Sequence, residues 1–277
     1  MSRDLFRLVA DRLAAVREGA GFGPSAGAPP EPEPTALAAI AVDDDDARGW
    51  LLDNQREDGG FALVADRVIA DAATPLAALA LPPGDARERA LDHVVTHRAQ
   101  AATSDEAIPL DASLRGWGWT PDTFTWVEPT ARALLALRLL RPSAVTQIAD
   151  GLAVLADREC EGGGWNYGNP VVLGVTLEPY AQTTAAALIG LQGGQPDLFA
   201  RGLAALDRLW RTERGGLGLG MSLAAFRLAG ARAATSVREV EAALADDFGR
   251  TGLMGDVVSL AWAAIASGPG LESLRGH

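Results

Sequence analysis

The stretch CEGGGWNYGNPVVLGVTLEPYAQTTAAALIGLQG, Cys160–Gly193, decides how the chain folds. Gly162-Gly163-Gly164 followed by Trp165 reads as a tight turn ending on a large aromatic. Glu178-Pro179 reads as a helix start, because proline suits the first helical position and an acid suits the positive end of the helix dipole. Thr183–Leu191 is small and apolar all round, which predicts a helix buried on every side.

Copies of this unit recur. Going outward toward the N-terminus, Glu128-Pro129-Thr130 starts ARALLALRLL, Thr74-Pro75 starts LAALAL, and Glu33-Pro34-Thr35 starts ALAAIAV. The prolines at these four starts are spaced 41, 54 and 50 residues apart. Glycine turns at Gly60, Gly116, Gly164 and Gly216 are spaced 56, 48 and 52 apart. Between the apolar helices lie amphipathic ones: Ser2–Arg17, Ala47–Gln55, Asp85–Arg98, Ser143–Arg158, Pro196–Arg211 and Ser236–Phe248. A period near 50 with two helices per unit is the mark of stacked helical hairpins. Six pairs predict one all-α domain over 1–277, closed into an (α/α)6 toroid. Inner helices are expected near 35–42, 74–81, 129–140, 179–191, 221–229 and 256–266, and closure hides the apolar faces that an open solenoid must cap.

Composition narrows the function. The 277 residues are 48% hydrophobic and carry a net charge of −12, against the clustered basic charge that nucleic acid requires. Every basic residue other than histidine is arginine, which excludes a P-loop lysine and a Schiff-base lysine. A single cysteine fits a reducing cytosol, and charges interrupt every apolar run of the N-terminus, so the expected location is cytoplasmic with no membrane span.

Gln55-Arg56-Glu57-Asp58-Gly59-Gly60-Phe61 resembles the Gln…Gly-aromatic turn repeated in squalene–hopene cyclases and related terpene cyclases. Gly163-Gly164-Trp165 and the starts Glu128-Pro129-Thr130-Ala131 and Glu178-Pro179-Tyr180 resemble that family too. The chain is identified with the prenyltransferase/squalene-oxidase repeat proteins, and the resemblance implies their (α/α)6 toroid. It implies an isoprenoid in the toroid cavity, and acid-initiated cyclisation if the family's acid is present. That acid is the middle Asp of Asp-x-Asp-Asp at an inner-helix start. Asp43–Asp46 matches the string but follows an inner helix, and its acids also suit the start of the next outer helix. In register the position falls on Glu31-Pro32-Glu33-Pro34-Thr35, with Glu33 in the acid's place. The family's transferases hold zinc with Asp, Cys and His. Here Cys160 precedes a glycine turn, and His93 and His97, spaced as a helical metal pair, show no third ligand in the sequence. No metal and no cofactor is expected.

The inner-helix starts should share one mouth. The candidate catalytic residues there are Glu33, Glu128 and Glu178; Thr74 and Phe61 would stand beside them. The candidate substrate-binding residues are Trp117, Trp119, Trp126, Trp165, Tyr167, Tyr180 and Arg132. Aromatic faces over an apolar well suit an isoprenoid, whose carbocations they stabilise. Arg132 suits a diphosphate or an ion pair between the two walls. The long connection Ala99–Val127 should place Trp117 or Trp119 over the mouth. Helix capping and turn packing explain the same residues without any ligand. Two further readings stay open: a non-catalytic toroid that binds a ligand or a partner protein, and a carbohydrate-active enzyme using paired carboxylates.

Overall fold

The computed structural model describes residues 2–62, 72–100, 107–120 and 123–276. Parts of the Ala99–Val127 connection therefore lie outside the described residues. The chain is mostly helical. Twelve helices stand among the described residues: α1 (Ser2–Ala15), α2 (Pro32–Val42), α3 (Asp45–Asp53), α4 (Thr74–Ala80), α5 (Asp85–Thr96), α6 (Val127–Leu140), α7 (Val145–Asp157), α8 (Ala181–Leu191), α9 (Pro196–Leu209), α10 (Gly216–Ala229), α11 (Ala234–Thr251) and α12 (Val257–Ser267). The only strands among the described residues form an antiparallel hairpin, β1 (Val171–Val172) with β2 (Val175–Thr176), which the sequence did not announce. No helix among the described residues is long and apolar enough to cross a membrane.

The even-numbered helices are the apolar ones; α2, α4, α8 and α12 bury nearly every residue, and α6 and α10 bury most of theirs. Each packs on the next: α2 on α4, α4 on α6, α6 on α8, α8 on α10, α10 on α12, and α12 back on α2. Small residues set the spacing. A Cβ on Gly190 would sit 2.7 Å from the carbonyl oxygen of Ala131, so α8 and α6 approach closely only because glycine is there. The amphipathic helices α3, α5, α7, α9 and α11 each pack on the apolar helix before them. The N-terminal α1 packs on the last apolar helix, α12, through its face of Leu5, Val9 and Leu13. Each such buried leucine contributes about 1.5–3 kcal/mol of transfer free energy.

One hydrogen-bonded device recurs at four helix starts. The backbone N–H of a buried aromatic donates to a threonine hydroxyl on the following apolar helix: Phe22 to Thr35 at 2.9 Å, Phe61 to Thr74 at 3.0 Å, Trp117 to Thr130 at 3.1 Å and Trp165 to Thr184 at 2.9 Å. The first three pairs are 13 residues apart and the fourth is 19 apart. A glycine precedes each aromatic. At Gly116 the reason is steric, since a Cβ would come within 2.4 Å of the Thr130 hydroxyl.

The device corrects three sequence readings. Gly21-Phe22 is a further turn that the glycine spacing overlooked. Gly216 is not a turn of this kind but the first residue of α10, so that inner helix starts before the expected 221. Glu178-Pro179 does not start α8 either: the hairpin lengthens the connection, residues up to Tyr180 stay extended, and the helix begins at Ala181.

The opposite ends of the apolar helices meet the C-terminal segment. A 3-10 turn, Pro269–Leu274, packs on α12 and α2. The side-chain amide of Gln192, just past α8, donates to the Leu274 carbonyl at 2.9 Å and accepts from the Gly276 N–H.

Replacing Thr130 by Val should lower stability by about 1–3 kcal/mol, because the buried Trp117 N–H loses its acceptor. Thr130→Ser should lose markedly less. Urea unfolding of the two variants decides this, and equal losses would show that shape rather than the hydroxyl matters.

Candidate functional site

The N-terminal ends of four apolar helices, α2, α4, α6 and α8, are joined through one arginine. Arg132, in the second turn of α6, is buried. Its Nη2 donates to Glu33 Oε1 at 2.6 Å and to Glu128 Oε1 at 2.7 Å, and its Nη1 donates to the Ala72 carbonyl at 3.3 Å. Glu128 Oε2 accepts from Gln182 Nε2 at 3.2 Å. The cluster therefore links α2, the residue before the α4 cap, α6 and α8. Trp119 lies over it, with the guanidinium carbon 5.3 Å from the indole centre. Burial alone would weaken the charged form of Arg132; the two carboxylates outweigh it and hold the guanidinium charged.

The members share a register. Glu33, Ala72, Glu128 and Gln182 each stand two residues before the threonine of the device. Glu178 does not belong to this set. It is exposed and precedes the helix, and the acid that caps α8 is Glu213, whose carboxylate accepts from the Ala181 N–H at 2.9 Å. Gln182 and Glu213 were not singled out from the sequence. Counting two residues back from each threonine would have found Gln182.

Arg132 does pair with acids, and its partners stand at the helix starts. With both carboxylates on Nη2, the guanidinium is not free to take a diphosphate as the sequence reading considered. A second acid missed by that reading is Glu31, the residue before α2. Burial, and then the neighbouring Glu33, hold its carboxyl above the ordinary range.

The aromatics divide. Trp117 is buried with its Nε1 on the Val94 carbonyl of α5 at 2.8 Å, and Trp165 is buried with its Nε1 on the Leu155 carbonyl of α7 at 2.7 Å. Both are tied to amphipathic helices, α5 and α7. Their indole N–H groups are thus spent on helix carbonyls. Trp119 and Trp126 are half-buried. Tyr167 and Tyr180 are exposed, with ring centres 5.3 Å apart. Beside Trp126 a surface pocket of about 130 Å³ is lined by Ile108, Leu110, Phe124, Arg158 and Asn169, among others.

Three groups with metal-binding chemistry also meet: Asp58, His93 and His97 offer ligand atoms all within 4.8 Å of one another. The sequence had shown no third partner for the histidine pair. The set does not fit an ion well. The imidazoles stack with centroids 3.8 Å apart and planes 9° apart, so their in-plane lone pairs run side by side instead of converging. Asp58 already accepts from Arg56 and from the Gly60 N–H. Its carboxyl lies below the ordinary range: burial opposes this, but Arg56, Gly60 and His93 outweigh it. Cys160 is buried, with its thiol pushed up chiefly by that burial, and acts as a small apolar residue. The Asp43–Asp46 run caps: the Asp44 side chain accepts from the Ala47 N–H at 3.0 Å, while Arg17 and Arg48 neutralise the run.

No family model matches the chain, and no curated protein matches it.

Replacing Arg132 by Met should cost about 3–5 kcal/mol, since it strands two carboxylates away from water. Adding Glu33→Gln and Glu128→Gln to that variant should restore part of the loss; calorimetry of both proteins measures it. The Asp58 turn makes a prediction about acid. A carboxyl whose folded pKa lies below its unfolded value stabilises the fold above the unfolded pKa, and the benefit is lost as pH falls through the folded one. Asp58→Asn should therefore flatten the fall in stability below about pH 4, read from urea midpoints across acid pH.

Proposed function

We propose that the chain is an (α/α)6 toroid of the prenyltransferase/squalene-oxidase repeat type that binds an apolar, isoprenoid-like small molecule and does not cyclise it. The order of helix packing supports the toroid, since each apolar helix touches the next and α12 touches α2. The repeated aromatic–threonine device supports the repeat assignment, because it lies in the turns that carry the resemblance. The half-buried Trp119 and Trp126 and the exposed Tyr167 and Tyr180 supply aromatic faces at the N-terminal end of the inner helices.

The observation that carries the non-catalytic part is the pairing of Glu33 and Glu128 with one nitrogen of Arg132. A general acid needs a proton to give at working pH. Glu33, in the position of the family's acid, is instead an acceptor of an arginine N–H. The same pairing argues against a sugar-cleaving carboxylate pair, which needs one carboxyl free as acid and an open groove for substrate. Here Glu128 is buried. One observation favours an acid-catalysed reading: Glu31, with its carboxyl held upward, stands two residues from Glu33. Cyclisation would then run through Glu31.

A panel of linear isoprenoid alcohols and hydrocarbons of increasing length tests both readings. The expected result is a rise in melting temperature with at least one chain length and no cyclic product by mass-resolved gas chromatography. Cyclic product that persists in Glu33→Gln and vanishes in Glu31→Gln would replace binding with catalysis. No binding across the panel would remove the isoprenoid.

A further inference from the structure

We infer that the groove at the C-terminal ends of α6, α8 and α10 binds a singly charged organic anion with an apolar body, such as a medium-chain carboxylate. Two cavities of about 290 Å³ and about 300 Å³ lie there and share Gln192 and Gly276 in their linings. Each is near the lower end of the ~300–1,000 Å³ range of small-molecule sites, which fits a ligand of modest length. Leu135, Leu139 and Pro142 supply apolar wall to the first, and Pro196, Phe199 and Leu228 to the second.

Charge selects the head group. The protein carries a net charge of −12, yet the cavities are lined by Arg138, Arg232 and Arg275 and, among the described residues, by no aspartate or glutamate. Other half-buried arginines, Arg48 and Arg141, sit on carboxylates. Arg138 is half-buried and has no ion pair among the described residues; its Nη1 donates to the Gly190 carbonyl at 2.9 Å. Burial holds it below the ordinary guanidinium value, with no acid beside it to offset the loss. Its Nε and Nη2 make no hydrogen bond among the described residues and are not enclosed. That edge of a guanidinium takes a carboxylate through two parallel bonds. A Cβ built on Gly193 would meet Arg138 Nη2 at 3.2 Å and nothing else beyond its chain neighbours, so the space beside that nitrogen is clear. Gly193 lines the second cavity, which sets the head there and the body along Phe199 and Leu228. Arg232 stands against the Phe199 ring, 5.7 Å from its centre, without an ion pair among the described residues, while Arg275 is paired with Glu272. One charge suits the head better than several. α6, α8 and α10 end at this groove, and the negative ends of their dipoles oppose a diphosphate more than a carboxylate. The site stands at the other end of the apolar helices from the Arg132 cluster and does not rest on an isoprenoid ligand.

Decanoate, decanol, decyltrimethylammonium and geranyl diphosphate, each below its micelle concentration, test the head group. Binding is read by calorimetry and by amide shifts of the labelled protein. Decanoate should bind about tenfold tighter than decanol or the ammonium, the gain expected from hydrogen bonds to a charged partner, with shifts at Gly193 and Gly194. Arg138→Gln should remove most of that gain and leave decanol unchanged, while Arg138→Lys should keep part of it. If Arg138→Gln does not fold, Arg232→Gln, at an exposed position, should weaken decanoate several-fold with an unchanged urea midpoint. Decanol binding as tightly as decanoate overturns the anion assignment, and geranyl diphosphate binding tighter than decanoate overturns the singly charged head. Absence of decanoate shifts at Gly193 and Gly194 overturns the site. Full decanoate affinity in folded Arg138→Gln, or in Arg232→Gln where the former does not fold, does the same.

Discussion

A helix buried on every face cannot turn its end groups toward water. Its first four N–H groups lack partners within the helix and must find them elsewhere. That constraint explains most of what surrounds the apolar helices. Glu213 reaches from another segment to the Ala181 N–H, and Asp256 accepts from the Ser259 N–H at the start of α12. At four starts a threonine serves the preceding turn, accepting the aromatic N–H. At three of them its hydroxyl also donates back to the carbonyl of the same aromatic. The device ties each turn to the helix after it, and it forces glycine ahead of the aromatic where the hydroxyl occupies the space of a Cβ.

The Arg132 cluster answers the same constraint at longer range. Two glutamates two residues before their threonines lie at the N-terminal ends of α2 and α6, where the helix dipole favours them. They would be close to each other and out of water, and the guanidinium between them removes that conflict. A buried ion pair is weak evidence for net stability, because desolvation opposes the attraction. Its clearer effect is positional. Arg132 fixes the starts of α2 and α6 across the start of α4, and Glu128 carries the link to α8 through Gln182. An arrangement with this mechanical role has little freedom left for proton transfer, which is why the binding reading fits it better than the catalytic one.

The twelve helices and their alternation were legible because burial on all faces and burial on one face leave different sequence patterns. Glu128-Pro129-Thr130 was read correctly as a start, while the similar Glu178-Pro179 was not. The difference is the hairpin at 171–176, which inserts six residues between aromatic and threonine (13 against 19) and moves the helix start past the proline. A two-residue strand with one exposed face carries too little pattern to announce itself. Trp117 and Trp119 show a second limit. They are two residues apart in one loop, yet one inserts toward α5 and the other lies over Arg132. Composition assigns both to an aromatic rim; only the path of the backbone separates them. Arg158 was invisible for a related reason, since an arginine at the end of an amphipathic helix reads as solvated until its surroundings are known.

The absence of lysine has a structural consequence for these ion pairs. Every ion pair described here in which a lysine might have stood has a guanidinium, whose donors lie in one plane and point in several fixed directions. Arg132 uses two nitrogens to meet a carbonyl and two carboxylates from separate segments. An ammonium has three donors on one nitrogen and a larger hydration shell to lose, so it joins separated partners less well in a buried place. The same geometry explains Arg158. Its plane is held through Nη1 by Asp157, and its Nε is left enclosed without a partner. One residue type thus produces both a junction that gathers a carbonyl and two carboxylates and a plane that is pinned at one nitrogen while another is enclosed without a partner.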